Sequence, residues 1–285
     1  SEDEMVEQLG HLAWLLKGEP YAATVQTPDA NPRTVLEWAM PVSRIVRVRH
    51  EWGDFVAAAS RDAVLLTYNR NNIQHLFALP SLIAAFYRTR ARLPGEAIVT
   101  GVRAVYPFLR TEFFLHWAPD EVEAVARRWL AVMTNIGLLR QEADDYWRPD
   151  VTASAFSTLA MLGRILAETL ERYGMTALLL THEYRSQLAG QGPLPRERFE
   201  RDCRLLAERL AVLTGREAPE FFDPALFKGY LNTLISVGLV LEKSDQTLEI
   251  DGRIERIAER SMELLSDESR QTLLQLLQRR AAAAA

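Results

Sequence analysis

The sequence predicts a mainly α protein: a multi-helix domain with an N-terminal β-hairpin and two winged-helix-like helix/hairpin units. Three observations carry that expectation. Apolar residues recur three and four apart over most of the chain, which is the helical period. One early stretch, Arg44 to Ala59, alternates apolar and charged residues instead. A grammar of helix, helix, glycine and hairpin occurs twice, with Gly137 and Gly238 at equivalent places, an offset of 101 residues.

Composition sets the bounds. The chain has 285 residues, 48% apolar and 25% charged, enough for a real core and incompatible with general disorder. A single cysteine, Cys203, excludes an internal disulfide and a cysteine zinc cluster. A net charge of −5 argues against a protein that coats nucleic acid. Arginine outnumbers lysine 30 to 3, the bias of a GC-rich genome. No segment reaches the roughly 20 apolar residues of a membrane span, and the acidic Ser-Glu-Asp-Glu start does not read as a signal peptide.

The elements follow in order. Met5, Val6, Leu9, Leu12 and Leu16 give a helix over 2–17 that Gly18 and Pro20 stop. Pro20, Pro28 and Pro32 mark a loop, and a short helix covers 34–40. Ile45, Val46 and Val48 alternate with Arg44, Arg47 and Arg49, Trp52-Gly53-Asp54 turns, and Phe55 to Ala59 returns. This predicts a hairpin with one arginine-lined face. Residues 61–90 read as one helix or two, with a kink or restart at Pro80. A helix follows Pro94 with an interruption at Pro107, and another runs from Pro119-Asp120-Glu121 to Ile136, capped by Gly137. Residues 138–148 form a hairpin, 152–190 are helical, and the grammar repeats through the helix 196–213, Gly238 and a hairpin over 239–250. The tail from Arg253 is helical, with a fresh start at Asp267. Residues 1–280 read as one domain with sub-regions 1–60, 61–151 and 152–280; the all-alanine 281–285 is a tag or unassigned residues.

Chemistry-bearing residues are sparse. His50 and His116 are each followed at +4 by an aspartate, Asp54 and Asp120, which is acid–base grammar but also ordinary turn and helix-start usage. His11 and His182 read as structural, and no spacing suits a metal pair. No glycine-rich phosphate loop is present. Cys203 reads as a small buried hydrophobe. The unusual local composition is Tyr68-Asn69-Arg70-Asn71-Asn72-Ile73-Gln74-His75. Asparagine competes for backbone bonds in helix interiors, so three of them together suggest specified partners. Asn71 and His75 are one helical turn apart. Arg70, Asn71, Asn72 and His75 are the candidate substrate-binding or interdomain residues; the rival reading is a buried polar network.

The same segment, with Leu79-Pro80-Ser81-Leu82, resembles the C-terminal domain of the bacterial membrane-associated glycerol-3-phosphate 1-O-acyltransferase family. Val105-Tyr106-Pro107-Phe108-Leu109 through Glu112-Phe113-Phe114-Leu115 is similar to a second family block. Glu168-Thr169-Leu170-Glu171-Arg172-Tyr173 and Ala218-Pro219-Glu220-Phe221-Phe222-Asp223 are similar to two more. The resemblance implies a parent enzyme that moves an acyl group from acyl carrier protein or coenzyme A to glycerol 3-phosphate. The product is lysophosphatidic acid, in the first step of phospholipid synthesis. The family's base is a histidine followed, after four residues, by an aspartate, with a glutamate-glycine-glycine-arginine-serine block for glycerol 3-phosphate. Here the residues at +5 from the five histidines are Leu16, Phe55, Pro80, Glu121 and Gln187, and the second block does not occur. No catalytic residue can therefore be carried over.

The implied role is non-catalytic support of an N-terminal catalytic domain. Acyl-ACP or acyl-CoA and glycerol 3-phosphate would be met through that domain, peripherally on the cytoplasmic face of the inner membrane. No cofactor, metal or nucleic acid is expected. The alternatives are a winged-helix protein- or DNA-binding adaptor, and a hydrolase built on His50 or His116. The chain alone should give background turnover with glycerol 3-phosphate and acyl-coenzyme A, because a general base typically contributes about 10²–10⁴-fold. Turnover abolished by His116→Ala would show that expectation to be wrong.

Overall fold

The computed structural model describes residues 1–59, 62–215 and 219–284. They divide into two units: Ser1–Tyr106 with Leu115–Ile165, and Pro107–Phe114 with Leu166–Ala285. These units cut across the sub-regions read from the sequence, since residues 107–114 join the second unit and 152–165 the first.

The first unit begins with α1 (Glu2–Gly18), held by a capping box in which Ser1 and Glu4 each satisfy the other's backbone. Gly18 is required by close approach: a Cβ there would lie 2.7 Å from Val132 Cγ1. Asn31 caps α2 (Pro32–Ser43), with Pro32 in the first turn. Arg44, at φ 52, turns the chain into β1 (Ile45–Val48). It pairs antiparallel with β2 (Phe55–Ala58), in the register Val46↔Ala57 and Val48↔Phe55. The hairpin stands where the alternation placed it, and its arginines Arg44 and Arg47 have acidic partners. Arg47 bonds Glu2, Arg44 pairs with Asp62, and the face shared by Val46, Val48 and Phe55 is apolar.

Three segments stand where one helix or two were expected over 61–90. They are α3 (Ala63–Ile73), a 3-10 turn at Gln74–Phe77, and α4 (Ala78–Ala85). Pro80 falls in the first turn of α4, where its missing N–H would have had no helical partner, so the chain restarts rather than kinks. All eight residues of α4 are buried, as befits a helix apolar all round. It packs on α7 (Ser154–Ile165), where Gly163 admits the α4 backbone: a Cβ would meet Ala84 atoms at 3.3 Å.

Then β3 (Arg92–Pro94) leads into α5 (Gly95–Phe113), which continues through Pro107 rather than breaking there. Pro107 removes one ladder bond, but its neighbours Tyr106, Phe108 and Leu109 are buried and hold the helix. After it come α6 (Val122–Asn135), β4 (Arg140–Glu142) and β5 (Asp145–Trp147), with strand order β3-β5-β4.

The second unit contains α8 (Ala167–Leu188), β6 (Leu194–Pro195), α9 (Arg196–Leu213), a 3-10 turn at Pro219–Phe222 and α10 (Pro224–Ser236). The chain continues with β7 (Val240–Glu242), β8 (Thr247–Ile250), α11 (Ile254–Met262) and α12 (Asp267–Ala284). The expected alanine tail is helical to residue 284; Ala285 lies outside the described residues. Gly174 faces Leu265, and Ser269 donates to Glu171 at 2.7 Å, which ties α12 to α8. Cys203 is fully buried in α9. Among the described residues no helix is long and apolar enough to cross a membrane.

The sheet β6-β8-β7 has the same antiparallel connectivity as β3-β5-β4: the last strand in sequence lies in the middle. The caps share a bond. Leu138 N–H donates to the Met133 carbonyl and Leu239 N–H to the Leu234 carbonyl, both at 2.9 Å. Gly137 and Gly238 are left-handed at φ 76 and φ 71. A Cβ at either glycine would meet nothing within 4 Å, so only the backbone conformation opposes a side chain. Gly137→Ala and Gly238→Ala should each cost about 1–2 kcal/mol in chemical denaturation. Unequal losses would show that the two caps are not equivalent.

Candidate functional site

The candidate segment starts in α3. Every residue from Tyr68 to Ile73 is exposed, so this stretch shows its whole circumference. The Arg70 guanidinium donates to Asn71 Oδ1 at 3.2 and 3.3 Å, and both side chains stand in solvent. A helical stretch exposed all round gains little from packing within its own unit. The α-helix ends at Ile73, so Asn71 and His75 do not stack on one continuous helix. Asn71 and Asn72 are exposed, while His75 is half-buried. The anchor of the segment is Gln74, whose amide donates to the Ile165 carbonyl at 2.8 Å.

His75 meets residues the sequence did not connect to it. Tyr21, from the proline-rich loop, puts its ring edge-on to His75 at 5.0 Å, to His116 at 4.5 Å and to Trp117 at 5.1 Å. His116 lies against Trp117 at 4.4 Å. Two imidazoles, a phenol and an indole thus gather beside the exposed helix. The acid–base pairs suggested by +4 spacing are not formed. His50 Nδ1 accepts the Trp52 N–H at 3.1 Å and closes its own turn, and among the described residues no hydrogen bond joins His116 to Asp120. His11 Nδ1 lies 3.0 Å from Thr158 Oγ1, and burial lowers its pKa, with Glu7 opposing. Among the described residues no three metal-binding side chains are gathered.

The second unit holds a polar centre that the composition did not mark. Glu112 Oε1 accepts from Thr169 Oγ1 at 3.0 Å and from Arg172 Nη2, while Oε2 accepts from Tyr173 Oη at 2.8 Å. Arg172 is 6% exposed and Glu112 12%. Burial, then the Glu112 charge, pushes the Tyr173 phenol well above its usual pKa, so it remains a donor. Tyr173 stacks on Tyr230 with ring centroids 4.5 Å apart, and Phe108 tilts against both. A cavity of about 210 Å³ opens beside them, walled by Phe108, Phe114, Leu226 and the two tyrosines. Glu112 has donors on both oxygens, so it acts as a tie between residues 107–114 and α8.

These contacts bring together two of the blocks named from the sequence, Glu112–Leu115 and Glu168–Tyr173. The fourth block supplies Phe221, fully buried, and Asp223, whose carboxylate caps α10 at the Ala225 N–H, 2.9 Å. Its first residue, Ala218, lies outside the described residues. Over residues 1–243 the sequence matches the family described as the glycerol-3-phosphate acyltransferase C-terminal region. The chain belongs to that family.

Its relatives are long proteins. A glycerol-3-phosphate acyltransferase of Pseudomonas savastanoi pv. phaseolicola is 35% identical over 259 residues, 90% of this chain and 30% of the relative. One from Pseudomonas aeruginosa (strain UCBPP-PA14) is 37% identical over 231 residues, 81% of this chain and 27% of the relative. The chain therefore spans less than a third of the length of the curated glycerol-3-phosphate acyltransferases it matches. Glu112, Arg172 and Tyr173 were reachable from the sequence only as members of family blocks; no local pattern joins a glutamate on one helix to an arginine some 60 residues on.

Arg172→Met should destabilise this family member by about 3–5 kcal/mol, because it leaves a buried carboxylate without its cation. Adding Glu112→Leu should recover much of that loss. Urea unfolding of the single and double variants measures both, and additive losses would show that the pair is not coupled.

Proposed function

We propose that this chain is the C-terminal, non-catalytic part of a glycerol-3-phosphate 1-O-acyltransferase. The parent enzyme transfers an acyl group from acyl-ACP or acyl-CoA to glycerol 3-phosphate and yields lysophosphatidic acid. The family match and the share of the relatives' length support this, as does the sequence, which carries neither the histidine-x4-aspartate pair nor the glutamate-glycine-glycine-arginine run. The catalytic base then belongs to an N-terminal domain, and this part supports it. The product carries an acyl chain that must reach a bilayer, which favours a peripheral seat on the cytoplasmic face of the inner membrane.

Within that role, Arg70, Asn71, Asn72 and His75 form the edge that faces the catalytic part or its substrates. What supports this is the unbroken exposure of Tyr68–Ile73. An arginine so placed can meet a carboxylate or a substrate phosphate bidentately. Arg70→Ala should change the stability of this chain by no more than about 0.5 kcal/mol, as an exposed substitution does. In the parent enzyme it should lower acyl transfer by about tenfold or more, the equivalent of about 1.4 kcal/mol. Thermal melts and acyl-transfer assays read the two effects; a destabilised chain beside a fully active parent would reverse the assignment.

A further inference from the structure

The six tryptophans divide by position. Trp117 and Trp129 are buried and Trp147 half-buried, whereas Trp14, Trp38 and Trp52 are 64%, 60% and 93% exposed. Trp38 has a companion: Val42, 75% exposed, is one turn further along α2 and on the same face. The helix runs through Arg44 straight into β1. There Val46 and Phe55 share the hairpin face turned away from Arg47, and Trp52 sits at the turn. The structure thus leaves exposed apolar side chains on two adjoining elements, where a soluble surface would carry charge. A two-stranded hairpin is marginal in water unless one face is covered.

We infer that the exposed apolar side chains of α2 and the hairpin, Trp38, Val42, Val46, Trp52 and Phe55, dock the remainder of the same polypeptide, whose matching surface is apolar with a basic rim that complements the acidity of residues 1–60. This rests on the reading above that the chain is one part of a longer enzyme. The matched relatives extend well beyond it, with only 30% of their length represented here, so a large protein surface is available to cover the face. Tryptophan is the residue type that most often dominates such contacts when buried. Charge argues against lipid as the occupant. Residues 1–60 carry nine acidic and five basic side chains, a net of −4. Arg33, Arg44 and Arg47 are already paired with Glu2, Asp3 and Asp62. Anionic headgroups attract free basic clusters, which this region lacks. The same acidity opposes a second copy, because a two-fold contact would set this surface against itself.

The test compares backbone amide exchange of peptides covering residues 36–57 in this chain and in the full-length enzyme. Docking predicts that exchange slows by about tenfold or more in the full-length protein. Full-length Val42→Glu and, separately, Trp52→Glu should return it to the rate of the isolated chain. Melts of the isolated chain carrying each substitution should stay near the parent value, which separates lost docking from lost folding. Equal exchange in the isolated chain and the full-length enzyme overturns the inference, whatever the activity. Protection of the isolated chain by vesicles of phosphatidylethanolamine and phosphatidylglycerol, but not by the full-length context, makes lipid the occupant and overturns it. Protection that rises with concentration of the isolated chain, alongside dimerisation in sedimentation, does the same in favour of a second copy. A full-length protein that protects these residues yet transfers no acyl group would refute the functional reading and leave the docking standing.

Discussion

The second unit depends on one carboxylate. Residues 107–114 are distant in sequence from everything else in that unit, yet they belong to it. Glu112 accounts for this: a half-buried or buried carboxylate is costly unless donors meet it, and Thr169, Arg172 and Tyr173 all do. Once α8 supplies those donors, its neighbours follow. Tyr173 is held flat enough to stack on Tyr230, and Phe108 comes in beside them. Glu171, one residue before Arg172, receives Ser269 from α12. A short run of α8 therefore faces the 107–114 segment with one set of side chains and the C-terminal helix with another.

The first unit is organised by a different constraint, close approach rather than charge. Its central helix, α4, is only eight residues long and buried at every position. Such a helix must find neighbours all round, and Gly163 lets α7 come against its backbone. Gly18 plays the same part where α1 meets α6. The cost of this economy lies just upstream. The chain invests its apolar residues in α4 and its surroundings, and α3 and the hairpin are left with exposed faces. The interior of the unit and its open edge are consequences of the same distribution of residues.

That distribution bears on function. The chain has a well-packed interior and no assembled set of catalytic groups among the described residues. Four of its five histidines close a turn, bond a threonine or pack against aromatic rings, and His182 lies beside Glu183. What stands out among the described residues is surface: the exposed polar run Tyr68–Ile73, and exposed apolar side chains on α2 and the hairpin. A supporting part of a larger enzyme has this character, since its contacts are completed by the rest of the polypeptide.

Much of the secondary structure was determined by the sequence itself, because its signals are local. The hairpin at 45–58, the caps at Gly137 and Gly238 and the fresh helix start at Asp267 each depend on a few neighbouring residues. The hairpins expected over 138–148 and 239–250 were legible for the same reason, and the two sheets they join have the same strand order. Other features were decided only by the tertiary structure. Whether the guanidinium of Arg47 is free depends on Glu2, 45 residues away, which takes it. Whether Pro107 breaks a helix depends on the burial of the residues beside it. Whether Arg70, Asn71 and Asn72 stand exposed depends on what packs against that stretch of α3, and Tyr68–Ile73 is exposed throughout. Propensity and spacing act within a turn or two of the backbone. Burial and charge pairing are set by residues that meet only after the chain has folded, which is why the elements could be read in advance and the exposed edge could not.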